Sequence, residues 1–129
     1  MITPIFASIL AFLFVGLTIR TILLRRGKKI PLGTGGDALL ERAVRAHSNF
    51  SEYVPLALML IWMLELQSNN RALVGILGTM LVIGRAIHAY GVSQLNEDFR
   101  LRVGGMGLTM ACLIISSCTN LVYFAINNS

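Results

Sequence analysis

Apolar residues run along this chain in four stretches, about Pro4 to Leu24, Leu39 to Leu66, Ala72 to Ser93 and Val103 to Ile126, parted by short polar or glycine-rich segments. Each is close to the roughly 20 residues that a helix needs to cross a bilayer. The pattern predicts an all-α integral membrane protein, a four-helix bundle forming a single transmembrane domain over residues 1–129. The second stretch departs from the others, because its first half, Glu41-Arg42-Ala43-Val44-Arg45-Ala46-His47-Ser48-Asn49-Phe50-Ser51-Glu52-Tyr53-Val54-Pro55, carries charge into apolar surroundings. At about 100° per residue, Glu41, Arg45, Ser48, Asn49 and Glu52 share an arc about 100° wide, while His47 points to the other side. An ionised side chain in a bilayer costs on the order of 3 kcal/mol even on mild scales, so it usually faces a bundle interior or a wet cavity. The second helix should therefore present a polar stripe.

The connections are readable by their punctuation. Gly27 to Asp37 contains Pro31, Gly33, Gly35 and Gly36 and should form the longest loop, with Asp37 capping the second helix and Glu41 complementing its dipole. A phosphate-binding loop is not the reading, since no strand precedes these glycines and no Gly-Lys-Ser/Thr follows. Gln67-Ser68-Asn69-Asn70 should be a turn between antiparallel helices. Pro55 removes one backbone hydrogen bond; it either bends the helix beside the stripe, opening a pocket, or is simply tolerated, as proline is in membrane helices.

Composition supports the membrane class. Of 129 residues 55% are hydrophobic and only 13% charged, and the mean hydropathy is +0.71, too apolar for an ordinary soluble domain of this size. The formal net charge of +5 sits largely in loops: Arg25, Arg26, Lys28 and Lys29 after the first helix, and Arg100 and Arg102 between the third and fourth. Basic residues that flank spans predict cytoplasmic loops, with both termini on the other side, and call for anionic lipid headgroups, not nucleic acid. The first stretch lacks a basic segment before it and reads as a retained span, not a cleaved signal.

Other chemistry is sparse. Cys112 and Cys118 lie about 120° apart on the fourth helix and read as packing residues. No cluster has metal-ligand spacing, so no metal is expected, and no Ser-His-Asp arrangement is evident. A small proton-coupled exporter is disfavoured because the first span has no acidic residue.

The third helix repeats the polar theme as Gly84-Arg85-Ala86-Ile87-His88, with Arg85 and His88 one turn apart on one face. Arg102 opens the fourth helix on the same side, with Thr109 two turns later, and Arg20 stands near the exit of the first. Each has a plainer reading. Arg20 could snorkel to the interface, Arg85 could pair with Glu52, His88 could be a packed histidine, and His47 could contact a neighbouring helix or subunit.

The spacing R-x-x-R-A-H-x-N-x-x-E-x-x-P over Arg42 to Pro55, followed by Gly84-Arg85-x-x-His88, resembles the membrane-associated proteins in eicosanoid and glutathione metabolism, the MAPEG family. The likeness covers most of the chain and is greatest to small bacterial members, described as inner-membrane proteins or microsomal-type glutathione transferases. It implies a homotrimer in the bacterial inner membrane, with glutathione as co-substrate bound between subunits near the cytoplasmic side. The matching positions Arg45, Asn49, Glu52, Arg85 and His88 would be glutathione contacts or their supports, with Arg20 a weaker match. Arg102 would stabilise the thiolate, Arg100 being nearly as well placed. The implied activity is a glutathione transferase or peroxidase acting in detoxification on hydrophobic electrophiles or lipid hydroperoxides. The alternative is a non-catalytic lipid- or glutathione-binding scaffold, like the five-lipoxygenase-activating member. Two positions depart from the family pattern: Val103 follows Arg102 where the prostaglandin synthase has Ser, and Val92 stands where a Tyr is frequent.

Independently of the resemblance, glutathione carries two carboxylates, an ammonium, two peptide groups and a thiol. A site for it needs arginine donors, a carboxylate and an amide, which Arg45, Glu52 and Asn49 provide.

Overall fold

The computed structural model describes residues 1–68 and 70–128. Asn69, within the expected turn, lies outside the described residues. Four α-helices follow in order: α1 (Thr3–Lys28), α2 (Ala38–Gln67), α3 (Arg71–Ser93) and α4 (Phe99–Asn127). No strand occurs among the described residues. α2 and α3 form the centre: α1 packs on both from one side and α4 packs on both from the other, chiefly on α3.

Capping chemistry sets the helix ends. Pro4 stands in the first turn of α1, where its missing N–H costs nothing. The helix runs four residues past the apolar stretch, because Arg25, Arg26 and Lys28 complement the negative end of its dipole. Lys29 then turns into the left-handed region at φ 55°, and its N–H reaches the Arg25 and Arg26 carbonyls. Asp37 caps α2 by accepting from the Leu40 N–H at 2.8 Å and pairs with Lys28. That lysine first, then the backbone N–H of Leu40, hold its carboxyl below the usual range. Gly33, Gly35 and Gly36 all have positive φ, the backbone this tight loop requires.

The sequence reading is corrected at the start of α4. The helix begins at Phe99, not near Val103, with Asp98 as its cap. Arg100 therefore joins Arg102 in the first turn of the helix instead of lying in the loop before it. Cations there oppose the helix dipole, and the adjacent carboxylates of Glu97 and Asp98 offset them.

The core follows helical spacing. Leu40, Ala43, Ala46, Phe50, Val54, Ala57, Ile61 and Leu64 make a buried stripe along α2, facing Leu10 and Leu17 of α1 and Val74, Leu77 and Leu81 of α3. Outward faces are apolar too: Phe12 and Ile19 on α1, Ile76 on α3, and Ile114 and Leu121 on α4 are all exposed. Exposure of this kind is what a lipid-facing surface requires, and α1, α3 and α4 are long and apolar enough to cross a membrane. In α2 the charges at 41, 42, 45, 52 and 65 interrupt the apolar run, while Leu56, Met59, Trp62 and Leu66 in its second half are exposed like the outward faces of the other helices. The molecule is a four-helix membrane bundle.

Small residues bring α3 and α4 together. A Cβ on Gly105 would lie 2.6 Å from the Gly84 carbonyl oxygen and 2.6 Å from the His88 nitrogen, and one on Gly91 would lie 3.0 Å from the Arg102 nitrogen. Close backbone approach at small residues is how membrane helices gain packing without a hydrophobic drive between them. Cys112 is buried here, its Sγ 3.5 Å from the Leu77 carbonyl, while Cys118 is exposed.

Candidate functional site

The polar stripe of α2 faces away from α1. It forms one wall of an open cleft of about 930 Å³ whose other walls are the end of α3, the α3–α4 loop and the first three turns of α4. Arg45, Asn49 and Glu52 line it, together with Glu41 and Ser48 from the same arc. Across from them stand His88, Arg102 and an apolar strip of Val103, Met106 and Met110. A polar wall thus confronts an apolar one, and the volume suits a drug-sized ligand. Among the described residues the Arg45 guanidinium and the Glu41 and Glu52 carboxylates have no protein partner.

Two sequence candidates lie outside this lining. Arg85 is fully buried behind Asn49: its Nη2 donates to Asn49 Oδ1 at 2.7 Å, and its guanidinium stands 5.6 Å over the Phe50 ring. It pairs with Asn49 and not with Glu52, and so supports the site from behind. Its Nε and Nη1 are buried without a protein partner. Arg20 donates to the Ser93 carbonyl at 2.9 Å, and Arg42 reaches the Val92 carbonyl at 3.4 Å. α3 has no basic residue in its last turn, so arginines from α1 and α2 satisfy its terminal carbonyls. His47 turns the other way, as its register demands. Its Nε2 lies 3.1 Å from Thr18 Oγ1 and its ring stacks on Phe14, so the neighbour it contacts is α1 of its own chain.

His88 fixes the start of α4. Its Nδ1 lies 3.0 Å from the Arg102 carbonyl, which makes Nδ1 the protonated nitrogen. This contact exists because Gly105 and Gly91 let the two backbones approach. Arg102 lines the cleft and Arg100 does not.

Sequence reasoning missed Arg42 and Glu97. Arg42 falls only about 20° beyond the arc that holds Asn49, so a slightly wider arc would have included it. Glu97 is a loop residue, and no periodicity fixes where such a side chain turns. Its carboxylate bridges Arg42 and Arg102, with the Arg102 Nη1 contact at 3.0 Å. First Arg42, then Arg102, hold the Glu97 carboxyl below the usual range, so it is ionised at neutral pH.

A four-helix membrane protein with an arginine-rich cleft let into one flank is the class that fold and geometry define. The MAPEG family model matches residues 3–122. The chain is 32% identical over 123 residues, 95% of its own length and 92% of the relative's, to inner membrane protein YecN of Escherichia coli strain K12. The YecN of E. coli O6:H1 strain CFT073 matches to the same extent. This chain belongs to the MAPEG family, and it is an integral membrane protein of the bacterial inner membrane.

Proposed function

We propose that the cleft binds glutathione and that the protein is a membrane-bound glutathione transferase or peroxidase for hydrophobic electrophiles. The observation that carries this reading is the pairing of an unsatisfied ionic wall, Arg45 with Glu41 and Glu52, with the apolar strip Val103, Met106 and Met110. Arg45 and Arg102 suit the ligand's carboxylates and thiolate, Glu52 its ammonium, and Asn49, held by Arg85, a peptide group. Arg102 lowers the thiol's pKa from about 8.5 towards neutrality. The sulfur then attacks an electrophilic carbon that lies along the apolar strip, a C–S bond forms, and the leaving group departs with its electron pair.

The basic α1–α2 loop and the Arg102 end of the cleft share one end of the bundle, which by the distribution of positive charge is the cytoplasmic end. The flank holding the cleft is open, and a neighbouring subunit of a homotrimer would close it. A second reading, a non-catalytic scaffold that binds glutathione or lipid, draws on the Glu97–Arg102 ion pair, which engages the arginine expected to serve the thiolate, and on Val92 in place of tyrosine.

Thermal unfolding of the detergent-solubilised protein tests the binding. Glutathione at a hundredfold excess over its Kd should stabilise by about 2.7 kcal/mol, and cysteinylglycine, which lacks the γ-glutamyl group, by much less. No stabilisation at millimolar glutathione removes the glutathione reading. Stabilisation without turnover of an activated aryl halide selects the scaffold.

A further inference from the structure

Among the described residues Glu97 is the one that a loop contributes to the cleft lining, and it occupies two arginines of a site suited to an anion. We infer that Glu97 is an internal competitor for the ligand's carboxylate. It holds the Arg42 and Arg102 guanidinium groups before a ligand binds and gives them up to the bound thiol peptide, a carboxylate of which takes Arg42 while Arg102 turns to the thiolate. It thereby sets how tightly the cleft binds a carboxylate-bearing ligand. This inference rests on the glutathione reading.

Charge balance supports it. The cleft carries Arg42, Arg45 and Arg102 against Glu41, Glu52 and Glu97, so it is formally neutral. Glutathione is an anion, and its thiolate form more so. With Glu97 turned out, the remaining groups leave the cleft net positive and free two guanidinium forks, the geometry that recognises carboxylates best. Exchange of one anion for another also keeps both guanidinium groups paired throughout.

The local structure allows the exchange without disturbing the cleft walls. Asp98 caps α4 by accepting from the Arg100 N–H at 2.9 Å, and its carbonyl accepts from the Leu101 N–H at 3.1 Å. His88 holds the Arg102 backbone from α3. On the other side the Gln94 N–H bonds to the Gly91 carbonyl. Only Leu95, Asn96 and Glu97 lie between these fixed points, and Leu95 is exposed. The carboxylate can therefore swing while Arg102 stays in place.

The test is a two-by-two calorimetric comparison of the purified protein and Glu97→Gln, each titrated with glutathione and with its glycine ethyl ester. Glu97→Gln should bind glutathione about tenfold more tightly, as expected when one charge-assisted competitor is removed, with little gain for the ester. Unchanged or weaker glutathione binding by the variant overturns the inference and leaves the glutathione reading intact, since Glu97 would then be a positioning residue for the arginines. An equal gain for both ligands also overturns it, because a general charge effect would suffice. If neither protein binds glutathione, both readings fall. A second measurement leaves the ion pairs untouched. A nitroxide attached at Asn96→Cys in a Cys118→Ser background should become more mobile when glutathione is added, and a label that stays as it was or becomes more ordered counts against displacement.

Discussion

Glu65 and Glu97 are carboxylates enclosed at opposite ends of the bundle, but their partners differ in kind. Glu65, near the end of α2, accepts from the backbone N–H groups of Ile2 and Thr3, the latter at 3.0 Å, and so satisfies two orphan donors at the start of α1. Its donors belong to a helix backbone that cannot turn away, and it does not line the large cleft. Glu97 is held by two flexible arginine side chains on the rim of a large cleft. Burial and charge alone do not separate a structural polar group from a functional one. What separates them is whether the partners are fixed and whether there is room for a substitute.

The sharpest break in this comparison comes from the contact that builds the cleft end. Gly105→Ala should destabilise the protein by about 3 kcal/mol, because the added methyl meets backbone on α3 and cannot be relieved by a rotamer change. Gly104→Ala, whose Cβ meets nothing within 4 Å, should stay within about 0.5 kcal/mol, as exposed substitutions usually do. Thermal unfolding in one detergent compares them, and equal losses would mean that α3 and α4 do not approach as described.

Glu52 and Glu65 should then dissociate in opposite directions. Glu52→Gln removes the partner of the ligand ammonium and should weaken glutathione binding by about 1.5 to 3 kcal/mol with stability unchanged, since among the described residues the Glu52 carboxylate has no hydrogen-bond or ion-pair partner. Glu65→Gln should cost about 1 to 2 kcal/mol of stability and leave binding alone. Calorimetry and thermal unfolding on the same samples read both, and an unaltered affinity for Glu52→Gln takes that residue out of the site.

Arg102 against Arg100 tests the chemistry. Arg102→Ala should lower turnover about tenfold, equivalent to about 1.4 kcal/mol, and raise the pH at which thiolate absorbance appears, while Arg100→Ala should do little. The reverse pattern would put the reactive end of the ligand at the wrong register of α4.

His88 gives a smaller and more local contrast. His88→Asn keeps a donor for the Arg102 carbonyl, whereas His88→Gln places its amide beyond it, so Gln should cost about 1 kcal/mol more in stability than Asn. Equal stabilities would deny the bond its anchoring part.

The smallest effect is that of acid. The folded pKa of Glu97 is depressed below the ordinary 4.5 and that of Asp37 below 3.8, so each contributes stability above its unfolded pKa and loses it as pH falls through the folded one. Both belong to the same end of the bundle. Acid exchange measurements should therefore show the α1–α2 and α3–α4 loops loosening below about pH 4.

How much was legible depended on periodicity. The four helices could be read because lipid demands long apolar runs, and the α2 wall could be read because a helix fixes every side chain's direction from its position number. Arg45, Asn49 and Glu52 consequently share one cleft, and His47 turns to α1. The motif from Arg42 to Pro55 identified the family for the same reason: its polar residues all sit on one rigid element. Four things were decided only in three dimensions. Arg85 lies behind Asn49, Arg20 closes the end of α3, Arg102 and not Arg100 enters the cleft, and Glu97 joins α2 to α4. Each depends on the approach of separate helices, which for α3 and α4 is set by Gly84, Gly91 and Gly105, or on the turn of a short loop. Sequence spacing along one element carries no information about the distance to another.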